Sequence, residues 1–381
     1  MSGPQQGAAI AAVLFEGWAA NPSAAKDLLA SGEIRLETNH EHHGVGGMAG
    51  VVSPSMLVYV VTDRTSGKRA YSLQEYDSFY GAFDAAALEE IRRWNSIYMP
   101  ALGRAIGDLG GLPLKQFQQL GLTMGDDLHC RQHGASAMTL GQLASAIVRT
   151  SGDTEAAATL QVLASLPYLL FLGLNMAASK ATLLAAEGVT GSSLVTVMAR
   201  NGTDVGIQVA GLPGRWFTAP APPIHFVPFD PATTTADACH DLGDSAICET
   251  NGFGGFSAAA APELAHEVGL TVDQLVPLSR EMARICLGEH TDLPIPQLGS
   301  GPPVGVDVHR VVSTGITPVI FTAVAPKGTG GRILGLGRSR IPLVSRGDLG
   351  EKSGDQDENW VPPSGVMIVA VAVTRKRFLA L

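Results

Sequence analysis

Five clusters of polar residues in this chain have types and spacings that can do chemistry. The first is MGDDLHCRQH at 124–133. Gly125 breaks the chain there, and Asp126 or Asp127 can cap a following helix. His129 and His133 stand four apart, which places them on one helix face and would suit a metal. The general-base Glu of the zinc-protease pattern is missing, however, and no third ligand is evident, so no metal is expected. Asp, His and Arg131 at a helix mouth form a better site for a small polar substrate, with His moving a proton and Arg clamping an anion. The plain alternative is a capped helix with an ion-paired Arg131. The second cluster, NHEHHGVGGMAG at 39–50, sets Asn39, His42 and His43 beside glycines whose amides can approach an anion; a solvent loop reads equally well. It lacks the phosphate-loop Lys.

The third cluster, ARNGTDVGI at 199–207, contains Asn201 and Asp204, with Arg215 following. Asn201-Gly202 is explained by hairpin-turn chemistry alone. The fourth, LGDSAICETNGFGGF at 242–256, brings Asp244, Glu249 and a glycine string that can bind an anion or permit close packing. The fifth, APKGTGGRILGLG at 325–337, carries Lys327 and Arg332 in a glycine-rich loop that reads as a phosphate site or as a mobile surface loop.

The elements that must position these residues are legible in outline. Residues 5–30 read as one helix. A polar loop and an apolar strand follow within 33–62. The stretch 84–107 is helical, with Asp84 as its N-cap. Residues 126–150 and 154–187 read as helices. The uncharged run 156–179 has the length of a membrane span, but Gln161, Pro167 and Asn175 interrupt it. A buried helix, or two helices broken at Pro167, fits better. Texture changes near 190 to a hairpin-like pair of strands and then a Pro-rich loop at 217–231. Helical stretches at 256–268 and 271–288 come next, with strands at 304–312, 316–324 and 366–374 and a polar loop at 344–362. Helices and strands are segregated, so the class is α+β, with a helical middle flanked by mixed parts. The divisions are 1–83, 84–190 and 191–381.

Composition narrows the function. The 381 residues are 45% hydrophobic and only 16% charged, with net charge −9. This excludes a disordered chain and gives no basic field for nucleic acid or anionic lipid. Low charge at this size points to surface buried between subunits, hence a homo-oligomer. No basic segment precedes the first apolar run, so no secretory leader is expected. Four scattered cysteines without C-x-x-C read as reduced thiols of a cytoplasmic protein.

Taken together, NHEHHGVGGMAGVVSPSM, TMGDDLHCRQHGASA, LNMAASKATLLAA, GSSLVTVMARNGTDVGI, RWFTAPA, GDSAICETNGFGGFSAAAAP and VDVHRVVSTGITPVIFTAVAPKGTGGRILGLG resemble the AllG-like family, in order over residues 35–340. The resemblance implies a cytoplasmic subunit of an oxamate carbamoyltransferase of purine and allantoin breakdown. That enzyme converts oxalurate and phosphate to oxamate and carbamoyl phosphate, without a cofactor. It implies partner subunits as well, one of them resembling an acyl-CoA synthetase. The family motif usually runs H-x-R-N, where this chain has His129, Cys130, Arg131 and Gln132. His133 stands where relatives carry a small residue, and the segment before the His loop is shorter here than in many of them.

On that footing the expected catalytic residues are His129, Asp126, Asp127 and Arg131. Asn39, His42, His43, Asn201, Asp204, Arg215, Asp244, Glu249 and Lys327 are the expected substrate-binding residues. Arg131 or Arg215 would take the carboxylate, Asn201 and glycine amides the developing oxyanion, and His129 the leaving nitrogen. Two other readings use the same residues: hydrolysis of a small amide, lactam or ureido compound, and a non-catalytic scaffold subunit.

Overall fold

The computed structural model describes residues 1–74 and 80–343, with two short strands beyond them at 368–370 and 378–380. The loop expected at 344–362 lies outside the described residues, as does most of the strand expected at 366–374. The architecture is α+β.

The N-terminal helix expected over 5–30 is two helices, α1 (Gly3–Phe15) and α2 (Pro22–Ala30). Gly17 takes a positive φ of 69°, and the Asn21 side chain accepts from the Ala24 amide at 3.0 Å, so a new helix starts there with Pro22 in its first turn. Next come β1 (Arg35–Glu37), β2 (Gly44–Val45), β3 (Leu57–Thr62) and β4 (Arg69–Ser72). β3 and β4 pair antiparallel with Tyr59 opposite Ser72, and β2 runs parallel to β4.

The middle region is helical. Asp84 caps α3 (Ala85–Arg93) by accepting from the Ala87 amide at 2.9 Å. A wider turn over Trp94–Tyr98 leads into α4 (Met99–Asp108), followed by α5 (Leu114–Thr123), α6 (His133–Thr150), α7 (Asp153–Ala164) and α8 (Leu172–Leu184). The run at 156–179 is thus broken around Pro167. Among the described residues, no helix is long and apolar enough to cross a membrane. α8 is buried on nearly every side, as its small and apolar residues dictate.

The C-terminal part opens with the hairpin β5 (Val195–Asn201) and β6 (Asp204–Val209), turning at Asn201-Gly202. β7 (Leu212–Pro220) and β8 (His225–Pro228) occupy much of the stretch expected to be loop. β9 (Leu242–Gly243) pairs with β5, setting Gly243 opposite Arg200. After α9 (Ile247–Thr250), residues 254–264 form short 3-10 turns rather than one helix, and α10 (Val272–Ala283) follows. β10 (Cys286–Glu289) pairs with β11 (Pro303–Val306). The strand expected over 304–312 stops at Val306. Asp307 accepts from the Arg310 amide at 2.9 Å and starts α11 (Val308–Thr314) instead. β12 (Val319–Ala323) and β13 (Gly335–Arg340) complete a three-stranded sheet with β8. Beyond them, β14 (Ile368–Ala370) pairs with β3 and β15 (Phe378–Ala380) with β1.

One large apolar cluster joins Val45, Tyr59 and Ala70 to the helical region and to Ile247, Phe253 and Ile295. A second gathers β5, the 256–285 stretch and β12 around Met198, Phe256 and Phe321. The first, second and fourth polar clusters meet between these two bodies.

Candidate active site

The sequence expects a helix from residue 126. It starts at His133, and residues 125–132 form a tight turn ahead of it. Two aspartates build that turn. Asp126, wholly buried, accepts from the Gly134 and Ala135 amides at 3.2 and 2.9 Å, capping α6 from a distance. Asp127, also wholly buried, collects the amides of His129, Cys130 and Arg131. Leu128 is forced to φ +61° between them. Burial pushes the Asp126 carboxyl up and pushes Asp127 up to about 6. The Arg131 guanidinium is engaged by the Gly125 carbonyl, Asp126 and Glu263.

His129 and His133 therefore do not share a helix face. His133 is exposed and lies against the Tyr168 ring, while His129 turns inward with 6% of its surface exposed. Its Nδ1 meets Glu249 Oε1 at 2.8 Å across 120 residues of sequence. A carboxylate on Nδ1 sets the Nδ1–H tautomer and leaves Nε2 as the basic nitrogen. Glu249 Oε1 also accepts from the Phe321 and Gly255 amides at 3.0 and 3.3 Å. Its Oε2 is buried without a partner among the described residues. Gly254 sits at φ +59°, where a Cβ would come within 1.9 Å of Glu249 Oε1. The glycine string thus makes room for a carboxylate of the protein itself.

Helix α8 ties this center to the His/Gly loop. Asn175 donates to the Leu128 carbonyl at 2.6 Å and accepts from Gln118 at 2.8 Å. Asn251 donates to Ser179 at 3.3 Å. One residue on is Lys180, 2% exposed, whose charge is felt by His40 and which in turn feels Asp244 and Glu187. Asp244 accepts from Asn39 at 2.9 Å and from the Gly46 amide at 3.1 Å, and His40 Nε2 lies 3.6 Å from its other oxygen. Burial raises the Asp244 carboxyl to about 6 and lowers the Lys180 amine to about 8. It also holds His40 well below the usual imidazole range, with Lys180 adding to the effect. Among the described residues, the two ring nitrogens of His40 and the Asn39 Oδ1 are buried without hydrogen-bond partners.

Other expected residues go elsewhere. His42 pairs with Glu37 at 2.5 Å, and His43 is exposed in the left-handed conformation that closes its turn. Asn201 spends its side-chain oxygen on the Thr203 and Asp204 amides of the hairpin turn. Asp204 and Lys327 are exposed. Arg215 lies over the Phe217 ring at 5.2 Å. The structure thus gathers Asn39, Asp126, Asp127, His129, Arg131, Asp244 and Glu249 into the buried polar layer. His42, His43, Asp204 and Lys327 stay at its edge or outside it. A cavity of about 100 Å³ borders Met48 and Gly50, lined by Leu57, Trp94 and Met99, and does not include His129.

His40, Lys180, Asn175 and Asn251 were missing from the expected set. Lys180 carried a signal: it is the single charge in 156–186. The four cysteines are unbridged, and burial holds the Cys248 thiol well above its ordinary value, so it is no nucleophile near neutrality.

Comparison with known proteins bears on this arrangement. The family model of the oxamate carbamoyltransferase subunit AllG matches residues 34–245. Two proteins of Escherichia coli K12 are each 38% identical over 351 residues, 90% of this chain. One is the oxamate carbamoyltransferase subunit AllG, covered over 84% of its length. The other is the uncharacterized protein YahG, covered over 74%. A crystal structure of a conserved protein of unknown function from Enterococcus faecalis V583 superposes with a TM-score of 0.86 at 36% identity, over 90% of this chain and 83% of that one.

Proposed function

The chain belongs to the AllG family, and from that premise we propose that it is a subunit of a carbamoyltransferase acting on a small ureido acid. The reaction proposed is oxalurate plus phosphate giving oxamate and carbamoyl phosphate. The observation that carries this reading is the His129–Glu249 pair, buried, carboxylate-oriented and set in a turn organized by two aspartates.

In this reading hydrogen phosphate attacks the ureido carbon. His129 Nε2 takes the phosphate proton as the P–O–C bond forms, and Glu249 stabilizes the imidazolium. The C–N bond then breaks with its electron pair on nitrogen, and the imidazolium delivers its proton there. Oxamate and carbamoyl phosphate leave, with atoms and charge in balance. Asp127 acts by holding the His129 turn. Arg131, already held by Asp126 and Glu263, serves the same turn rather than the substrate.

The matching family model and relative are both named as a subunit, so we propose a hetero-complex in the cytoplasm, with an acyl-CoA-synthetase-like partner. The test is phosphorolysis of oxalurate by the chain alone and by the complex isolated from its own cells. Carbamoyl phosphate in the complex supports the reading. Its absence from both mixtures removes it, and release of carbamate without phosphate uptake moves the assignment to a hydrolase.

A further inference from the structure

We propose that Lys180 is a substrate-binding residue, whose ammonium takes the carboxylate of a small α-oxo acid while His40 and Asn39 bind the adjoining amide. The assignment deepens the carbamoyltransferase reading and rests on it for the identity of the acid. Three observations support it.

Lys180 is 2% exposed and, among the described residues, its amine forms no hydrogen bond or ion pair. Buried cations are ordinarily paired, and among the described residues this one makes no direct contact with a counter-ion, Glu187 and Asp244 acting on it from farther off. Asp244 does not fill that role. Its Oδ2 is occupied by Asn39 and the Gly46 amide, and its Oδ1 faces His40.

The Lys180 charge reaches His40, whose ring is fully buried with neither nitrogen bonded among the described residues, and the adjacent Asn39 keeps a buried side-chain oxygen that is likewise unfilled. The Asn39 orientation is fixed by its amide nitrogen, which donates to both Asp244 and Gly50. One cation, one neutral imidazole and one amide oxygen want a ligand with a carboxylate, a carbonyl and an N–H. An α-oxo carboxylate amide presents all three in one plane. Finally, the glycine amides that might otherwise bind an anion are spent: Gly46 serves Asp244 and Gly255 serves Glu249.

The test is direct binding of oxamate to the full chain, with oxamide as its uncharged counterpart. Lys180→Met is expected to weaken oxamate about tenfold or more while leaving oxamide unchanged. Wild-type affinity should fall as pH rises through about 8, where the Lys180 ammonium loses its proton. The groups facing this amine are His40 and His43 from the loop, Asp244, and Glu187 beyond α8. Asp244 titrates near 6, below that window. In Lys180→Arg the charge persists, so binding should remain and the pH step should vanish. This variant decides the matter even if the Met variant folds poorly.

Oxamate binding equal to wild type in Lys180→Met, a pH step surviving in Lys180→Arg, or no oxamate binding by the wild type would overturn the assignment. Carbamoyl phosphate synthesis that survives in Lys180→Met with unchanged oxamate affinity defeats Lys180 alone. Lys180-dependent oxamate binding without any carbamoyl phosphate synthesis in the complex defeats the reaction and leaves Lys180 standing.

Discussion

Asp244 and Lys180 are buried ionizable groups whose environment penalizes their charged forms, and each makes stability depend on pH in a definite direction. Asp244 rises from its ordinary 3.8 to about 6 in the folded chain. The folded state then holds the proton more tightly, so the contribution is complete below about pH 4 and is lost as pH climbs to 6. Asp244→Asn removes this slope. Its amide oxygen can still accept from Asn39 and Gly46, and its N–H can face His40. Urea unfolding at several pH values should show the variant gaining on wild type by up to about 3 kcal/mol between pH 4 and 6. A constant difference across that range would mean Asp244 does not titrate as described.

Lys180 falls from 10.5 to about 8. The unfolded chain therefore binds the extra proton between those values, and this group's destabilization shrinks as pH rises through them. Below pH 8 the burial of its charge costs on the order of 3 kcal/mol. Lys180→Met is accordingly expected to raise the thermal midpoint at pH 7, as removal of an unpaired buried charge should. A large fall would mark Lys180 as a structural residue.

At the scale of elements, the site depends on carboxylates reaching backbone amides through glycine. Gly254→Ala would place a methyl against Glu249 and hold alanine at φ +59°. A loss on the order of 3 kcal/mol is expected, with His129 released from its partner. Chemical denaturation measures the first effect, and the chemical shifts of the His129 ring by NMR the second. Local features were legible in the sequence for the same physical reason: the Asp84 cap, the Asn201-Gly202 turn and the break at Pro167 are decided by neighbors in the chain.

The start of α6 was not legible, because Asp126 caps it from six residues before Gln132 and the turn between depends on Asp127 collecting three amides. Nor was the choice among His40, His42 and His43. They share one glycine loop, and the distant Asp244 distinguishes the buried ring from its neighbors. Turn chemistry or surface packing accounts for where Asn201, Asp204, Arg215 and Lys327 lie.

At the scale of the molecule, the polar layer lies where two apolar bodies meet, and α8 belongs to both its ends. The changes of texture near 83 and 190 do not interrupt the larger apolar cluster, which runs from Val45 to Ile295. We propose that the three parts unfold together, and calorimetry should find one transition. Separate transitions would assign each part a core of its own. The α+β class and the family could be read from pattern and motif. The meeting of residues 39–46, 127–129, 175–180 and 244–251 could not, since it is made by packing between segments up to 205 residues apart.

The central claim is that His129 moves the proton in this buried layer. The most direct measurement is the rate of carbamoyl phosphate formation from oxalurate by the assembled complex carrying His129→Asn. The rate should fall by roughly 100-fold or more with assembly unchanged. A variant complex that assembles and retains the wild-type rate would contradict it.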